Sequence, residues 1–398
     1  MLNLHRRLVT PERVYLAALG FSGCAALVSV ALPPAERGEL AACIASATLG
    51  AAVGGLSIDT FLLSRPAGWV VSRGARWIPG LLAGCLILSA VAAALLTALA
   101  GVGSPLVAVG TACALTIFNA AASLALRLKR FLFVYSMRAA SGAVLVGGYA
   151  LLYAGGRLDG GAWSTVWFGV QAGAATVLGA VVLSWAWRMR PMPAASATRA
   201  EYRADMTALG KLHIGVCAQM VTYRIDQILL ARFAGSGALG VYALAVAALE
   251  FAQAGAVVRS QRILAHRGED APPERTATVA RAALPIAAAA VAGLAVLGWL
   301  RPEYDEAWLL GLCLIPGTLA VATGKTWSAL LLKRAGEQAT TAVALLTMVV
   351  AAVLYAVLIP SAGAYGAALA STGAYLVYAY RTRVGLRRAP DLLANRAV

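Results

Sequence analysis

Long apolar segments alternate with short polar connections along almost the whole chain. Twelve such segments are separated by charged residues or by proline and glycine. Each segment has about 20 residues, which is long enough for a helix to cross the hydrocarbon core of a bilayer. The pattern therefore predicts an all-α polytopic membrane protein with about 12 transmembrane helices. The predicted spans lie at residues 14–32, 40–58, 79–100, 105–126, 131–153, 163–187, 208–233, 238–258, 277–299, 307–332, 338–359 and 363–380.

The amino-acid composition leads to the same class of protein. Of the 398 residues, 61% are hydrophobic and only 13% are charged, whereas a soluble domain is about 25% charged. Secreted disulfide scaffolds, disordered chains and nucleic-acid-binding domains are therefore excluded as the main interpretation. The six cysteines lie singly within apolar segments and show no CxxC spacing. They predict neither a metal site nor a disulfide framework.

The net charge of +16 is explained by where the basic residues lie. Alternate connections, beginning with the N-terminus and ending with the C-terminus, hold 26 arginines and lysines, whereas the connections between them hold three. Basic residues are enriched in cytoplasmic loops. The distribution predicts an even number of spans with both termini in the cytoplasm, and the charge requires no nucleic acid partner.

The longest polar connection lies at the middle of the chain and contains Pro191 and Pro193. It predicts a linker between two halves of six spans each. The predicted organisation is an N-terminal lobe at residues 1–187, a cytoplasmic linker at 188–211, a C-terminal lobe at 212–380 and a cytoplasmic basic tail at 381–398.

A weak internal repeat supports two related halves. Residues 37–41 (RGELA) open span 2, and residues 239–243 (LGVYA) open span 8 at an offset of 202. Arg65 and Arg267 keep the same offset. Internal repeats with a binding site between them are typical of secondary transporters.

Three longer segments resemble a known family. They are residues 32–38 (LPPAERG) followed by 57–60 (SIDT), residues 223–230 (YRIDQILL) followed by 235–243 (GSGALGVYA), and residues 332–336 (LKRAG) followed by 358–368 (LIPSAGAYGAA). In this order and spacing the chain resembles the Wzx-type polysaccharide flippases of the multidrug/oligosaccharidyl-lipid/polysaccharide (MOP) exporter superfamily. The resemblance implies two six-helix lobes around a central cavity. It also implies alternating access that moves a lipid-linked sugar outward.

Five charged residues lie well inside predicted spans, where a charge is costly and usually faces a cavity or a partner. Arg138, Arg224 and Lys325 are candidate ligands for a diphosphate head group, which needs positive partners when it leaves water. Counted along the helices, Arg138 and Lys325 lie about 10 Å from the cytoplasmic end, and Arg224 lies about 20 Å along its span. We expect the cations at two levels, one in each membrane half. Alternatively, Arg138 and Lys325 extend to the inner interface. Glu250, near the middle of span 8, is a candidate for ion coupling.

Span 7 carries a polar stripe at helical spacing, with Arg224 at its edge. Such a stripe should line water or another polar surface, or form a hydrogen-bonded seam between helices. We expect Tyr223 and Gln227 to contact substrate. Asp226 is expected either to pair with Arg224 or another cation, or to carry a coupling proton or sodium ion. The stripe consists of Gln219, Thr222, Tyr223, Asp226 and Gln227.

No residue pattern predicts catalysis, a cofactor or a metal. Residues 323–326 (TGKT) resemble part of a phosphate-binding loop, but the spacing from Gly317 is too long and the segment lies inside an apolar span. No nucleophile–base motif or cluster of His, Cys and Asp is present. The sequence therefore predicts that the protein is not an enzyme.

We expect a flippase or exporter that translocates a lipid-diphosphate-linked oligosaccharide across the inner membrane, as in lipopolysaccharide or exopolysaccharide assembly. The partners implied are that lipid-linked sugar, a coupling ion and polysaccharide assembly proteins. The alternatives are a cation-coupled multidrug exporter of the same superfamily, a non-transporting membrane scaffold, and a membrane-embedded enzyme of polysaccharide assembly. Among the deep residues, cations outnumber carboxylates, which favours an anionic substrate.

Overall fold

The computed structural model describes residues 11–64, 75–188, 199–265 and 277–394, and within these ranges it contains helices and no β-strand. The helices are α1 Pro11–Val28, α2 Pro34–Gly54, α3 Ile58–Ser64, α4 Ala75–Ala100, α5 Pro105–Arg127, α6 Phe131–Ala154, α7 Gly160–Arg188, α8 Arg199–Glu250, α9 Ala254–Ala265, α10 Ala277–Leu300, α11 Ala307–Ala335 and α12 Glu337–Ala394. Three-residue 3-10 helices lie at Ser29–Ala31, Phe251–Gln253 and Pro302–Tyr304.

The prediction of an all-α polytopic membrane protein is confirmed. In the described part of the chain, nine helices are long and apolar enough to cross a membrane. Two of them, α8 and α12, are interrupted by a residue with non-helical backbone angles, so each covers two predicted spans. The helix α2 covers predicted span 2 but is not among the nine. It carries Glu36, Arg37 and Glu39 near its start, and these charges lower its mean hydropathy.

Proline and glycine determine where several helices begin and break. Proline is the first residue of α1, α2 and α5, where its missing N–H would have no helical partner in any case. Gly235 interrupts α8 with φ of 84°, and Gly363 interrupts α12 with φ of 55°. Residues with a Cβ rarely adopt positive φ, so these glycines allow two spans to follow each other with almost no loop.

The helices form two compact units. Unit 1 comprises Met1–Ala31 and Ala42–His213, and unit 2 comprises Leu32–Ala41 and Ile214–Val398, as far as these ranges are described. In unit 1, α1 packs on α6 and α5 packs on α7, with a core that includes Phe118 and Leu178. In unit 2, α11 packs on α12 and on α10, with a core that includes Leu331 and Tyr378.

Parts of the predicted linker and tail fall in helices. Residues 199–211 of the predicted linker belong to α8, and residues 381–394 of the predicted tail belong to α12. Residues 189–198 and 395–398 lie outside the described residues. The predicted lobe, linker and tail boundaries stay predictions.

Within unit 2, the start of α2 meets α8 through main-chain contacts. A Cβ added to Gly38 would lie 1.8 Å from the carbonyl oxygen of Ser236, and one added to Gly240 would lie 1.9 Å from that of Pro34. Gly38 and Gly240 differ by 202 in number, as do Pro34 and Ser236, so the two contacts are reciprocal at the offset of the sequence repeat. The buried Arg37 also donates a hydrogen bond to the carbonyl oxygen of Gly240, at 2.9 Å.

Candidate functional site

Arg224 forms an ion pair with Glu250 inside unit 2. Its Nη2 atom lies 2.8 Å from Oε1 of Glu250, and the two side chains are 24% and 46% exposed. Both residues belong to α8, one before and one after the break at Gly235. Because both side chains are partly accessible, a charged ligand of the matching sign could replace either partner.

Lys325 of α11 lies in the same cluster. Its Nζ atom donates a hydrogen bond to Oε1 of Gln253, at 2.8 Å, and lies 5.2 Å from the ring centroid of Tyr223. Glu250 acts electrostatically on Lys325 as well as on Arg224. We call Arg224, Lys325, Glu250, Gln253 and Tyr223 the cationic cluster. Glu250 is its only carboxylate, so the cluster carries more positive than negative charge when all three groups are ionised.

A local irregularity of the helix presents Glu250 and Gln253. The helix α8 ends at Glu250, the next three residues, Phe251–Gln253, form a 3-10 helix, and α9 follows directly at Ala254. A 3-10 turn between two α-helical segments changes the direction of successive side chains. Glu250 and Gln253 are thereby the residues of this segment that contact Arg224 and Lys325.

Aromatic hydroxyl groups surround the cationic cluster. The ring of Tyr223 makes edge-to-face contacts with the rings of Tyr375 and Tyr378, at centroid distances of 5.5 and 6.4 Å. Nε2 of Gln219 lies 3.1 Å from the Tyr223 hydroxyl and 3.0 Å from that of Tyr378, and donates to both. The arrangement combines cations, ring faces and neutral polar groups in one part of unit 2.

The expected separation of Arg224 and Lys325 between two membrane levels is wrong. Arg224 contacts Glu250, and Lys325 contacts Gln253, which follows Glu250 by one helical turn. The ammonium group of Lys325 also lies over the ring of Tyr223, the residue before Arg224. The estimate counted residues along each helix separately, and such a count contains no information about how two helices pack against each other.

Asp226 lies in a separate hydrogen-bond network between α8 and α12. Its carboxylate accepts hydrogen bonds from the hydroxyl of Tyr242, from Oγ of Ser371 at 3.1 Å and from the backbone N–H of Gln227 at 2.9 Å. The hydroxyl of Tyr355 lies 3.1 Å from Oγ of Ser371. All the side chains of this Asp226 network are buried, so the carboxylate is satisfied by neutral donors.

The structure therefore gives Arg224 and Asp226 different partners, and the expected pairing of these two residues is not observed.

The polar stripe of span 7 is also divided. Thr222, Asp226 and Gln227 are buried, whereas Gln219 and Tyr223 are partly exposed. Thr222 accepts a hydrogen bond through its carbonyl oxygen from the Tyr355 hydroxyl, at 3.0 Å. This part of the stripe is a seam between helices. A ligand would reach Gln227 only after a rearrangement.

Arg138 lies in unit 1, on α6. Its side chain is exposed, and its Cζ atom lies 5.3 Å from the ring centroid of Phe118 on α5. Within the described ranges, no carboxylate lies within ion-pair distance of Arg138. Tyr15 and Tyr135, whose rings contact each other at 5.2 Å, lie close to its guanidinium group, and the carboxylate of Asp59 acts on it electrostatically from beyond ion-pair distance. Arg138 is therefore an accessible cation with aromatic neighbours.

The sequence did not identify the neutral partners of these charged residues. Tyr242, Tyr355 and Ser371 surround Asp226, and Gln253 holds Lys325. Tyrosine and serine occur throughout the apolar spans, so their type alone predicts no contact. Gln253 gave the better signal, because it is a polar residue one helical turn after Glu250 in an apolar span.

The cationic cluster can bind and exchange charged groups. Among the residues that the structure describes, no group of three or more His, Cys, Asp and Glu side chains could hold a metal ion. The acceptors and donors are instead guanidinium, ammonium, carboxylate, amide and phenol groups. Such a set can hold an anion, a cation or hydroxyl groups.

Comparison with solved structures shows the fold. The chain is similar to the lipid II flippase MurJ in an inward closed conformation, with a TM-score of 0.64 and 13% identity over 94% of this chain and 87% of that one. It is also similar to an inward-facing multidrug resistance MATE family transporter of the MOP superfamily, with a TM-score of 0.51 and 14% identity over 96% of each chain. No protein-family model and no curated protein matches the chain. These structural neighbours are transporters and flippases, not enzymes. The chain is thus a multi-pass helical membrane protein with the fold of MOP superfamily transporters.

Proposed function

We propose that the protein is a flippase that moves a lipid-diphosphate-linked oligosaccharide across the inner membrane by alternating access. The observation that carries the proposal is the cationic cluster, in which Arg224 and Lys325 share the single carboxylate of Glu250. A diphosphate diester has two negative charges, which two cations can neutralise. The similarity to a lipid II flippase supports the same substrate class, and the resemblance to Wzx-type flippases points to polysaccharide precursors.

Binding would proceed by exchange of counter-ions. The guanidinium of Arg224 can hold a phosphate through two parallel hydrogen bonds, and Lys325 can act as a point charge beside it. Glu250 then loses Arg224 as its partner, and its half-exposed side chain stays accessible for a coupling ion. Tyr223 and Gln219 would supply the aromatic face and the polar groups that sugars require. Arg138 of unit 1 stays a candidate substrate ligand by itself, as a cation inside a predicted span.

Coupling to an ion would involve one of two carboxylates. Asp226 is buried among hydroxyl groups that can donate to it or accept from a protonated form. Glu250 competes with the anionic substrate for the same cations. Either residue could bind the coupling proton or sodium ion, and polysaccharide assembly proteins would deliver the substrate and remove the product.

A multidrug exporter is the second candidate, and one observation favours it. The half-exposed carboxylate of Glu250 acts electrostatically on Tyr375, whose ring packs on that of Tyr223. A carboxylate with aromatic rings is a suitable site for an organic cation. In that case Arg224 would be the counter-ion that the drug displaces. The similarity to a MATE family transporter is consistent with this alternative.

Reconstitution separates the two candidates. The protein is placed in proteoliposomes with a fluorescent lipid-diphosphate sugar, and the fraction that reaches the opposite leaflet is measured with a membrane-impermeant quencher. We expect transport by the unmodified protein, loss of transport in Lys325→Gln and retention in Lys333→Gln, a matched change of an exposed lysine on the same helix. Transport of a fluorescent organic cation, with no movement of the lipid, would contradict the flippase proposal and support the multidrug exporter.

A further inference from the structure

The last part of α12 carries four arginines within eight residues. Arg381, Arg383, Arg387 and Arg388 are all exposed. Among the described residues, none of the four has a carboxylate within ion-pair distance. The sequence contains no Asp or Glu between Glu337 and Asp391. Among the side chains that the structure describes, this end of the helix is therefore a concentrated positive charge.

An exposed apolar stripe leads directly to two of these arginines. Leu369, Leu376 and Tyr380 are 51%, 49% and 65% exposed. Viewed down the helix axis, with about 100° per residue, Leu376, Tyr380 and Arg387 lie within about 20° of the direction of Leu369. Arg383 lies about 40° from that direction. Tyr380 marks the expected level of the membrane interface, where tyrosine is enriched. Arg383 and Arg387 follow it by about 5 and 10 Å along the helix axis.

The opposite face of the helix fixes this orientation. Tyr378, Thr382, Leu386 and Ala389 are buried, and three of them belong to the core that α12 forms with α11. The helix therefore cannot rotate its arginines away from the exposed side without opening that core. Arg383 is held further by Trp327 of α11, whose ring centroid lies 5.6 Å from its Cζ atom. Arg381 and Arg388 point about 100–120° away from the stripe.

We propose that this face of α12 binds one anionic phospholipid. Its phosphate lies between Arg383 and Arg387, its glycerol region lies at Tyr380 and Trp327, and an acyl chain covers Leu376 and Leu369. Charge complementarity selects the occupant, because a zwitterionic lipid brings an ammonium group to the same arginines and gains less from them. The proposal depends on α11 and α12 alone and is independent of the substrate proposed above.

The test is a comparison of lipid affinities. Delipidated full-length protein in neutral detergent is titrated with phosphatidylglycerol or phosphatidylcholine of identical chains, and bound lipid is counted by native mass spectrometry. Each arginine near a membrane surface is worth roughly 1 kcal/mol toward anionic lipid, so two of them predict a preference of about 30-fold. The preference should fall as salt is raised, because the arginines are exposed.

A pair of double variants distinguishes a site from general surface charge. Arg383→Gln with Arg387→Gln should reduce the preference to a few-fold, whereas Arg381→Gln with Arg388→Gln, with the same loss of charge on the same helix, should keep most of it. Circular dichroism checks that both variants fold. Equal loss in the two double variants, or equal retention, would overturn the proposal. So would an unmodified protein that binds both lipids equally.

Discussion

Arg224 holds its place through one accessible carboxylate, and this makes its contribution testable by substitution. Arg224→Ala should abolish transport of a lipid-diphosphate sugar while the protein still inserts and folds, because removal of a cation from an apolar region does not oppose insertion. Arg224→Lys should keep part of the activity, since the charge remains and the paired hydrogen bonds are lost. Transport in proteoliposomes at equal protein level is the measurement.

Arg232→Ala is the matched control for this substitution. Arg232 belongs to the same helix, is exposed and has no ion pair within the described part of the chain. We expect its substitution to leave transport unchanged. Normal transport by the Arg224→Ala protein would remove Arg224 from the substrate site.

Glu250 competes with an anionic ligand, so its neutralisation should tighten binding. We expect Glu250→Gln to bind a lipid diphosphate about 3–10-fold more tightly, which corresponds to roughly 1 kcal/mol for the lost competitor. Titration calorimetry of the detergent-solubilised protein measures the affinity. The same change should weaken binding of an organic cation. Weaker binding of the diphosphate in the Gln variant would contradict counter-ion exchange.

Asp226 is expected to be more important for stability than Arg224. Asp226→Leu removes the carboxylate to which Tyr242 and Ser371 donate. Their two hydroxyls still lie 3.1 Å apart and can bond to each other, so the expected loss is roughly 1–3 kcal/mol for one unsatisfied buried group. Asp226→Asn keeps the shape and one acceptor oxygen, so it should unfold at a temperature close to that of the unmodified protein. Thermal unfolding in detergent compares the two variants.

A double-mutant cycle should give coupling between Arg224 and Glu250 and almost none between Arg224 and Asp226. Strong coupling between Arg224 and Asp226 would contradict this result and would support the pairing of these two residues that the sequence predicted.

At the residue scale, the charged members of the site were predictable and their partners were not. Arg224, Lys325, Asp226 and Glu250 stand out because ionised groups are rare in apolar spans. Which carboxylate serves which cation depends on how α8, α11 and α12 pack, and helical spacing along one span contains no information about that. Glu250 reaches Arg224 only because the chain reverses at Gly235.

At the scale of the helices, close approach is the property most sensitive to mutation. Gly38→Ala would place its new methyl group 1.8 Å from the carbonyl oxygen of Ser236, so α2 and α8 would have to move apart. Overpacking of this kind costs about 1–3 kcal/mol. We expect a lower unfolding temperature, measured by the fluorescence of the nine tryptophans.

Gly237→Ala provides the comparison for this helix contact. A Cβ at Gly237 meets nothing within 4 Å, and alanine favours the helix, so its unfolding temperature should not fall. If Gly38→Ala unfolded at the same temperature as Gly237→Ala, main-chain contact would not limit the packing of these helices.

Helix positions were predictable because each span needs a continuous apolar segment, and the described helices cover the predicted spans. The ends were less predictable, since polar residues can continue a helix beyond the apolar core. Arg199 begins α8 and Ala394 ends α12, both in segments predicted as polar connections. The 3-10 turn at Phe251–Gln253 was not predictable, because none of its three residues is a proline or glycine that would indicate a helix break.

For the whole molecule, orientation in the membrane stays a prediction from charge. Reporter fusions after Val398 and at Ser104 should report opposite compartments, with Ser104 outside, because 26 basic residues lie in one set of connections and three in the other. A pair of reporters sensitive to periplasm and cytoplasm measures this directly. Both signals from one side of the membrane would contradict the predicted topology.

The reciprocal contact of α2 with α8 bears on how such a chain could arise. Pro34 corresponds to Ser236 and Gly38 corresponds to Gly240 at the offset of 202. The contact of Pro34 with Gly240 is therefore the same contact as that of Ser236 with Gly38, with the two halves of the chain exchanged. A surface that meets its own copy in this way is isologous, the form of contact found in symmetric dimers. If the two copies descend from one segment, an ancestor of half the length could have assembled as a homodimer through the same glycine. In that homodimer each mutation at the interface would have changed both copies of the contact at the same time. After fusion the two sides could diverge separately, as Arg37 and Leu239 at the same offset have done.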